Sequence, residues 1–84
     1  MKITFKLFAT LTDYLPAPSR ADNVVALEVP AGATIAQVIE PFRLPPKLVH
    51  LVLVNGVYIG PAQRASHALR EGDTLAIWPP IAGG

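Results

Sequence analysis

The chain has 84 residues, 51% of them hydrophobic and 15% charged, with a formal net charge of +1 and no cysteine. A chain this short buries only about 60 to 65% of its unfolded surface, so one domain with a thin core is expected, with apolar surface left over for a partner. Disulfides, thiolate metal sites and a cysteine nucleophile are excluded; the scattered lysines and arginines make no basic stripe for nucleic acid, and no apolar run reaches the roughly 18 residues of a membrane helix.

Met1-Lys2 lead straight into an alternating pattern rather than a signal peptide, which sets the expectation of a cytoplasmic protein. In that pattern Ile3, Phe5 and Leu7 alternate with Lys2, Thr4 and Lys6, the period-two signature of a strand with one buried face. Leu11, Tyr14 and Leu15 are spaced for a short helical turn over residues 8–15 with one apolar side. Pro16 and Pro18 are expected to hold the chain extended through an exposed loop to Asn23. A second strand puts Val25, Leu27 and Val29 on one face and Ala26 and Glu28 on the other, and Pro30-Ala31-Gly32 ends it. An antiparallel pair with the first strand is the simplest arrangement.

Thr34 and Gln37 form a capping box, and Ile35, Val38, Ile39 and Phe42 follow helical spacing, so a helix begins here with its apolar face on the sheet. Pro41 lacks an amide hydrogen and crowds the Gln37 carbonyl, which stops regular helix near Glu40. Leu44-Pro45-Pro46-Lys47 is a stiff connector into Leu48-Val49-His50-Leu51-Val52-Leu53-Val54. That almost continuous apolar run suits a strand covered on both faces, or covered on one and offered to a partner on the other. Asn55-Gly56 is a strong hairpin signal before a brief strand at Val57-Tyr58-Ile59, which Gly60-Pro61 stops. Residues 62–69 read as irregular, and Arg70-Glu71-Gly72-Asp73 as a tight turn into the last strand. There Leu75 and Ile77 share one face, Ala76 and Trp78 the other.

This order predicts an α+β fold, a mixed sheet of four to five strands with one short helix packed across one face. It matches the β-grasp fold of ubiquitin-like proteins, in which the first and last strands lie side by side at the centre of the sheet. Residues 1–80 are read as the β-grasp domain and 81–84 as a flexible C-terminal Gly-Gly tail.

Pro79-Pro80 removes two donors and favours an extended course, throwing Ile81-Ala82-Gly83-Gly84 clear of the sheet. A tail ending in two glycines is thin enough for a narrow channel in a partner, and glycine accepts whatever backbone angles that channel imposes. Its terminal carboxylate is ionised at neutral pH and is a weak nucleophile that needs activation. Trp78 is expected to point away from the helix-covered face, beside Ala76 and the Val52/Val54 side of the neighbouring run, as an interface anchor. Other candidates are thin. His50 and His67 have no second ligand at metal spacing, and Ser66-His67 are adjacent, which sets nucleophile and base in divergent directions. The six carboxylates are scattered, with Asp13 and Asp73 read as turn or capping residues. Arg43, Lys47, Arg64 and Arg70 are read as a solvated face that could steer an acidic partner.

With Val54-Asn55-Gly56, Glu71-Gly72-Asp73 ahead of a strand, and Trp78-Pro79-Pro80-Ile81-Ala82-Gly83-Gly84 in place, the sequence resembles the MoaD/ThiS family of ubiquitin-like sulfur carriers. Its end is similar to that of molybdopterin synthase small subunits, where an aromatic residue is followed by Pro-Pro, a small apolar residue, a small residue and Gly-Gly. The double proline sets it apart from the usual carriers of the thiamine pathway, and the short helix cut by Pro41 departs from the family's pattern.

The resemblance implies a carrier acting with partner enzymes, not an enzyme by itself, and no bound cofactor. A ubiquitin-activating-like adenylyltransferase would use ATP to join the Gly84 carboxylate to AMP, and a sulfur donor would displace AMP to leave a thiocarboxylate. Gly83 would serve sterically, and Trp78, Pro79, Pro80, Ile81 and Ala82 would contact partners. The implied acceptor is the large subunit of molybdopterin synthase, or an equivalent enzyme, in molybdenum cofactor biosynthesis. Alternatives are a carrier for thiamine thiazole or another metabolite, and a non-catalytic ubiquitin-like modifier or interaction module. Nucleic acid and membrane partners are not expected.

Overall fold

The alternation at the start of the chain is obeyed in β1 (Lys2–Leu7), where Ile3, Phe5 and Leu7 are buried and the residues between them are not. The computed structural model describes residues 1–80. It shows a five-stranded sheet in which β2 (Val24–Glu28) pairs antiparallel with β1, and β1 pairs parallel with β5 (Thr74–Trp78). Beyond β5 come β3 (Leu51–Val54) and β4 (Val57–Tyr58), both joined antiparallel, giving the order β2-β1-β5-β3-β4. The first and last strands therefore occupy the middle, as the β-grasp reading requires.

Register assigns the faces. Phe5 stands opposite Leu75 and Leu7 opposite Ile77, while Val52 faces Ile77 and Val54 faces Leu75. These side chains form the core with Leu11, Leu15, Ile35, Val38 and Leu69 from the segments laid across the same side. Phe42 adds a tilted aromatic contact to Phe5, ring centroids 4.7 Å apart.

Helix α1 (Ile35–Ile39) is as short as Pro41 dictates, and a 3-10 turn Glu40–Phe42 follows it. Its first amides need partners outside the helix. Gln37 donates to the Thr34 hydroxyl and the Gln37 side chain accepts from the Thr34 amide, completing the capping box. Ile35 N–H donates to the His67 carbonyl and Ala36 N–H to the Arg64 carbonyl, so the loop at 61–68 caps the helix from outside.

Two local expectations need correction. Only the second half of the apolar run at residues 48–54 is strand; Pro46–Leu48 is a 3-10 turn because two consecutive prolines remove the donors a ladder needs. The loop after Pro16 is not extended throughout but folds into a 3-10 turn, Ala17–Ser19, with Pro18 inside it. The alternation read for β2 is found, with Val25, Leu27 and Val29 packed against the core and Ala26 and Glu28 exposed; Val25 and Leu27 are half-buried on this edge strand, which has a neighbour on one side alone.

The turns follow their residues closely. Asn55 and Gly56 both have positive φ, 51° and 82°, the pair of left-handed residues that a two-residue hairpin matched to strand twist demands. Asn55 also donates through Nδ2 to Asp73 Oδ1 and accepts through Oδ1 from Thr74 N, each at 2.8 Å. Asp73 Oδ2 accepts from Arg70 N, so Asp73 is the turn residue expected of it.

Candidate functional site

The chain leaves the sheet at the end of its central strand, and that end is held from both sides. Phe8 N–H donates to the Ile77 carbonyl, prolonging the β1 ladder, and His50 N–H donates to the Trp78 carbonyl from the β3 side, each at 3.2 Å. Pro79 and Pro80 have no amide hydrogen to continue either ladder. Strand pairing stops at Trp78, as expected. Residues Ile81, Ala82, Gly83 and Gly84, the reactive part of the expected site, lie outside the described residues, as does the expected flexible tail.

Around this exit the sheet face opposite the helix is largely apolar. Lys6, Ala76, Leu53 and Tyr58 stand abreast across four strands, and in the next row Trp78 faces Leu51. Phe8 completes that row, its ring stacked on the Trp78 indole at a centroid distance of 4.1 Å and an interplanar angle of 3°. Ala76 is only 7% exposed, a methyl group set between Lys6 and Leu53, whereas Tyr58 is 55% exposed at the hairpin edge. Trp78 points away from the core, as predicted from the parity of Leu75 and Ile77. Its neighbours are different from those predicted. Val52 and Val54 lie on the core face, and Leu51 and Leu53 flank the indole instead. An unbroken apolar run carries no parity of its own, and the register with β5 supplies it.

Arg64 is the second correction. It is not part of a solvated steering face but 9% exposed, and its guanidinium donates to three carbonyls: Nε to Ile59 at 3.2 Å, Nη1 to Val49 at 3.2 Å and Nη2 to His50 at 3.0 Å. Nothing in the sequence around Arg64 marks it as buried; only the long-range contact does. Arg43, Lys47 and Arg70 are exposed. His50 and His67 join no group of three or more potential metal ligands among the described residues. Ser66 Oγ bonds the Gln63 carbonyl, not His67.

A half-buried aromatic stack lies at the end of the central strand, and the strand order β2-β1-β5-β3-β4 with one short helix across the other face is that of the ubiquitin-like β-grasp class. The family comparison makes the assignment narrower. The model of the ThiS family matches residues 6–84, and the chain belongs to that family of ubiquitin-like sulfur carriers. Among solved structures it is similar to SAMP1 from Haloferax volcanii, with 25% identity, all of both chains covered and a TM-score of 0.67. It is also similar in fold to a putative molybdopterin converting factor, subunit 1, from Pyrococcus furiosus, at 21% identity, 96% of this chain and 99% of that one, TM-score 0.68. A further Haloferax volcanii protein solved in solution aligns at 24% identity over all of this chain and 87% of its own, TM-score 0.76. A search of the curated proteins finds no significant match. No helix among the described residues is long and apolar enough to cross a membrane.

Proposed function

We propose that the chain is a sulfur carrier whose Gly84 carboxylate is adenylated by a ubiquitin-activating-like enzyme and then converted to a thiocarboxylate. The observation that carries this reading is that the family match runs through residue 84, behind a central strand whose ladder ends at Pro79-Pro80. In the first step a carboxylate oxygen attacks the α-phosphorus of ATP and pyrophosphate leaves. In the second a hydrosulfide ion, supplied by a sulfide donor, attacks the acyl carbon, the acyl–phosphate bond breaks, AMP leaves and the thiocarboxylate remains. The chain's own contribution is positional. Gly83 and Gly84 admit close approach of a channel wall because they carry no Cβ, while Trp78, Phe8 and Leu51 offer an apolar seat at the tail's root.

The acceptor we favour is the large subunit of molybdopterin synthase, because the Trp78-Pro79-Pro80 sequence resembles the small subunit of that enzyme more than carriers of the thiamine pathway. A second reading is supported by the 25% identity to SAMP1, a small archaeal modifier protein: Gly84 would then form an amide with a partner lysine. Adenylation is common to both. It is tested by exchange of labelled pyrophosphate into ATP with an activating enzyme from the same cells. Exchange that depends on the chain and disappears when Gly84 is deleted supports the proposal; exchange independent of the chain contradicts it.

A further inference from the structure

Arg64 is a buried cation without a carboxylate partner among the described residues, where the one ion pair joins the Met1 amino group to Glu28 at 3.4 Å. Burying a guanidinium is costly unless every donor direction is used, and an apolar side chain would fill the same space without that cost. The compensation here comes from carbonyls of residues 49, 50 and 59, all at segment ends rather than inside a strand. Two of them, Val49 and His50, belong to the irregular stretch between the turn Pro46–Leu48 and β3. That stretch has no ladder of its own to fix it before Leu51. Its one amide bond to the sheet is the one His50 donates to the Trp78 carbonyl.

We infer that Arg64 is a positioning residue for the departing tail: by gripping the Val49 and His50 carbonyls it holds the His50 amide against the Trp78 carbonyl, and so fixes the direction in which the chain leaves β5. The path is short and continuous, from Arg64 Nη2 to the His50 carbonyl at 3.0 Å and from the His50 amide to the Trp78 carbonyl at 3.2 Å. Arg64 also accepts the Ala36 amide through its own carbonyl, so the grip is referenced to helix α1 on the far side of the core. Guanidinium geometry matters, since one planar group reaches three carbonyls at once; a lysine ammonium is a single point donor at the end of a flexible stem. The inference adds a residue to the carrier reading and rests on it for its consequence in activation, while the physical part stands without it.

The test uses the full chain with Arg64→Met and Arg64→Lys, and Val38→Ala as a control that loosens the core without removing a hydrogen bond to residues 49–50. Amide hydrogen exchange is read under conditions where all variants are folded, alongside adenylation of Gly84. For Arg64→Met the His50 amide should exchange at least about tenfold faster than in the parent, as expected when a charge-assisted hydrogen bond is lost, while Phe5 and Leu75 amides change no more than in the control. Adenylation should slow by about tenfold at saturating chain, with Arg64→Lys between the two. Equal acceleration of all amides, or an unchanged His50 amide, would overturn the inference, as would adenylation as fast as in Val38→Ala. If Arg64→Met does not fold, Arg64→Lys decides by the same comparison. Should the parent chain show no adenylation, the carrier reading fails, and the exchange data alone judge the positioning role.

Discussion

The Phe8 and Trp78 rings lie parallel within 3° and 4.1 Å apart, one at the end of β1 and the other at the end of β5. The two strands are neighbours and parallel, so their ends coincide in space. The stack thus sets two aromatic rings beside the point where the chain leaves the sheet.

Removing the indole should affect recognition more than folding. Trp78→Ala loses only a half-buried contact, for an expected destabilisation of about 1 to 2 kcal/mol, whereas an aromatic anchor at an interface centre is worth about 2 kcal/mol or more in binding. Affinity for the activating enzyme should fall about thirtyfold or further while the urea midpoint moves modestly. Calorimetric titration beside urea unfolding checks it, and unfolding of the variant with undiminished affinity in the folded remainder would place Trp78 in the core.

The stack itself is separable from the burial of each ring. A double-mutant cycle with Phe8→Leu and Trp78→Leu should return a coupling of about 0.5 to 1.5 kcal/mol, the usual worth of an aromatic pair beyond its area. Additive effects in urea unfolding would mean that the rings merely lie near each other.

Asn55 serves the hairpin twice, through its positive φ of 51° and through two side-chain hydrogen bonds to Asp73 and Thr74. Asn55→Ala loses both and should cost about 2 kcal/mol; Asn55→Gly keeps the backbone angle and should cost about 1 kcal/mol. Chemical unfolding of the three proteins gives the order. Equal losses in the two variants would show that the side-chain bonds alone matter.

At the start of α1, Thr34→Ala removes the acceptor for Gln37 N and should cost about 1 kcal/mol. The effect on this chain is cushioned, because the Ile35 and Ala36 amides are held by carbonyls of the 61–68 loop and not by the cap. Thermal unfolding is sufficient to measure it.

How much of this was visible beforehand depends on whether a feature is local. The capping box, the Pro41 stop and the Asn55-Gly56 turn are set by residues within a few positions of one another, and each is found as read. The alternation of β1 and β5 likewise places Ile3, Phe5, Leu75 and Ile77 inside and Trp78 outside. The features that escaped are those made by distant residues. Val52 and Val54 took the core face because β5 fixed the register of an apolar run that has no period of its own. Phe8 looked like part of a helical turn, yet the parallel pairing of β1 and β5 sets it against Trp78. Arg64 looked solvated because arginine usually is; three carbonyls from separate segments bury it.

Conversion of the Gly84 carboxylate to a thiocarboxylate is read out by intact-mass measurement of the chain isolated from cells that hold its activating enzyme and a sulfur source. A population in which one carboxyl oxygen is replaced by sulfur is expected, lost on deletion of Gly84 or on addition of a residue after it, with the fold unchanged. A plain carboxylate throughout, or a branched conjugate through a lysine in place of the sulfur-bearing form, would contradict it.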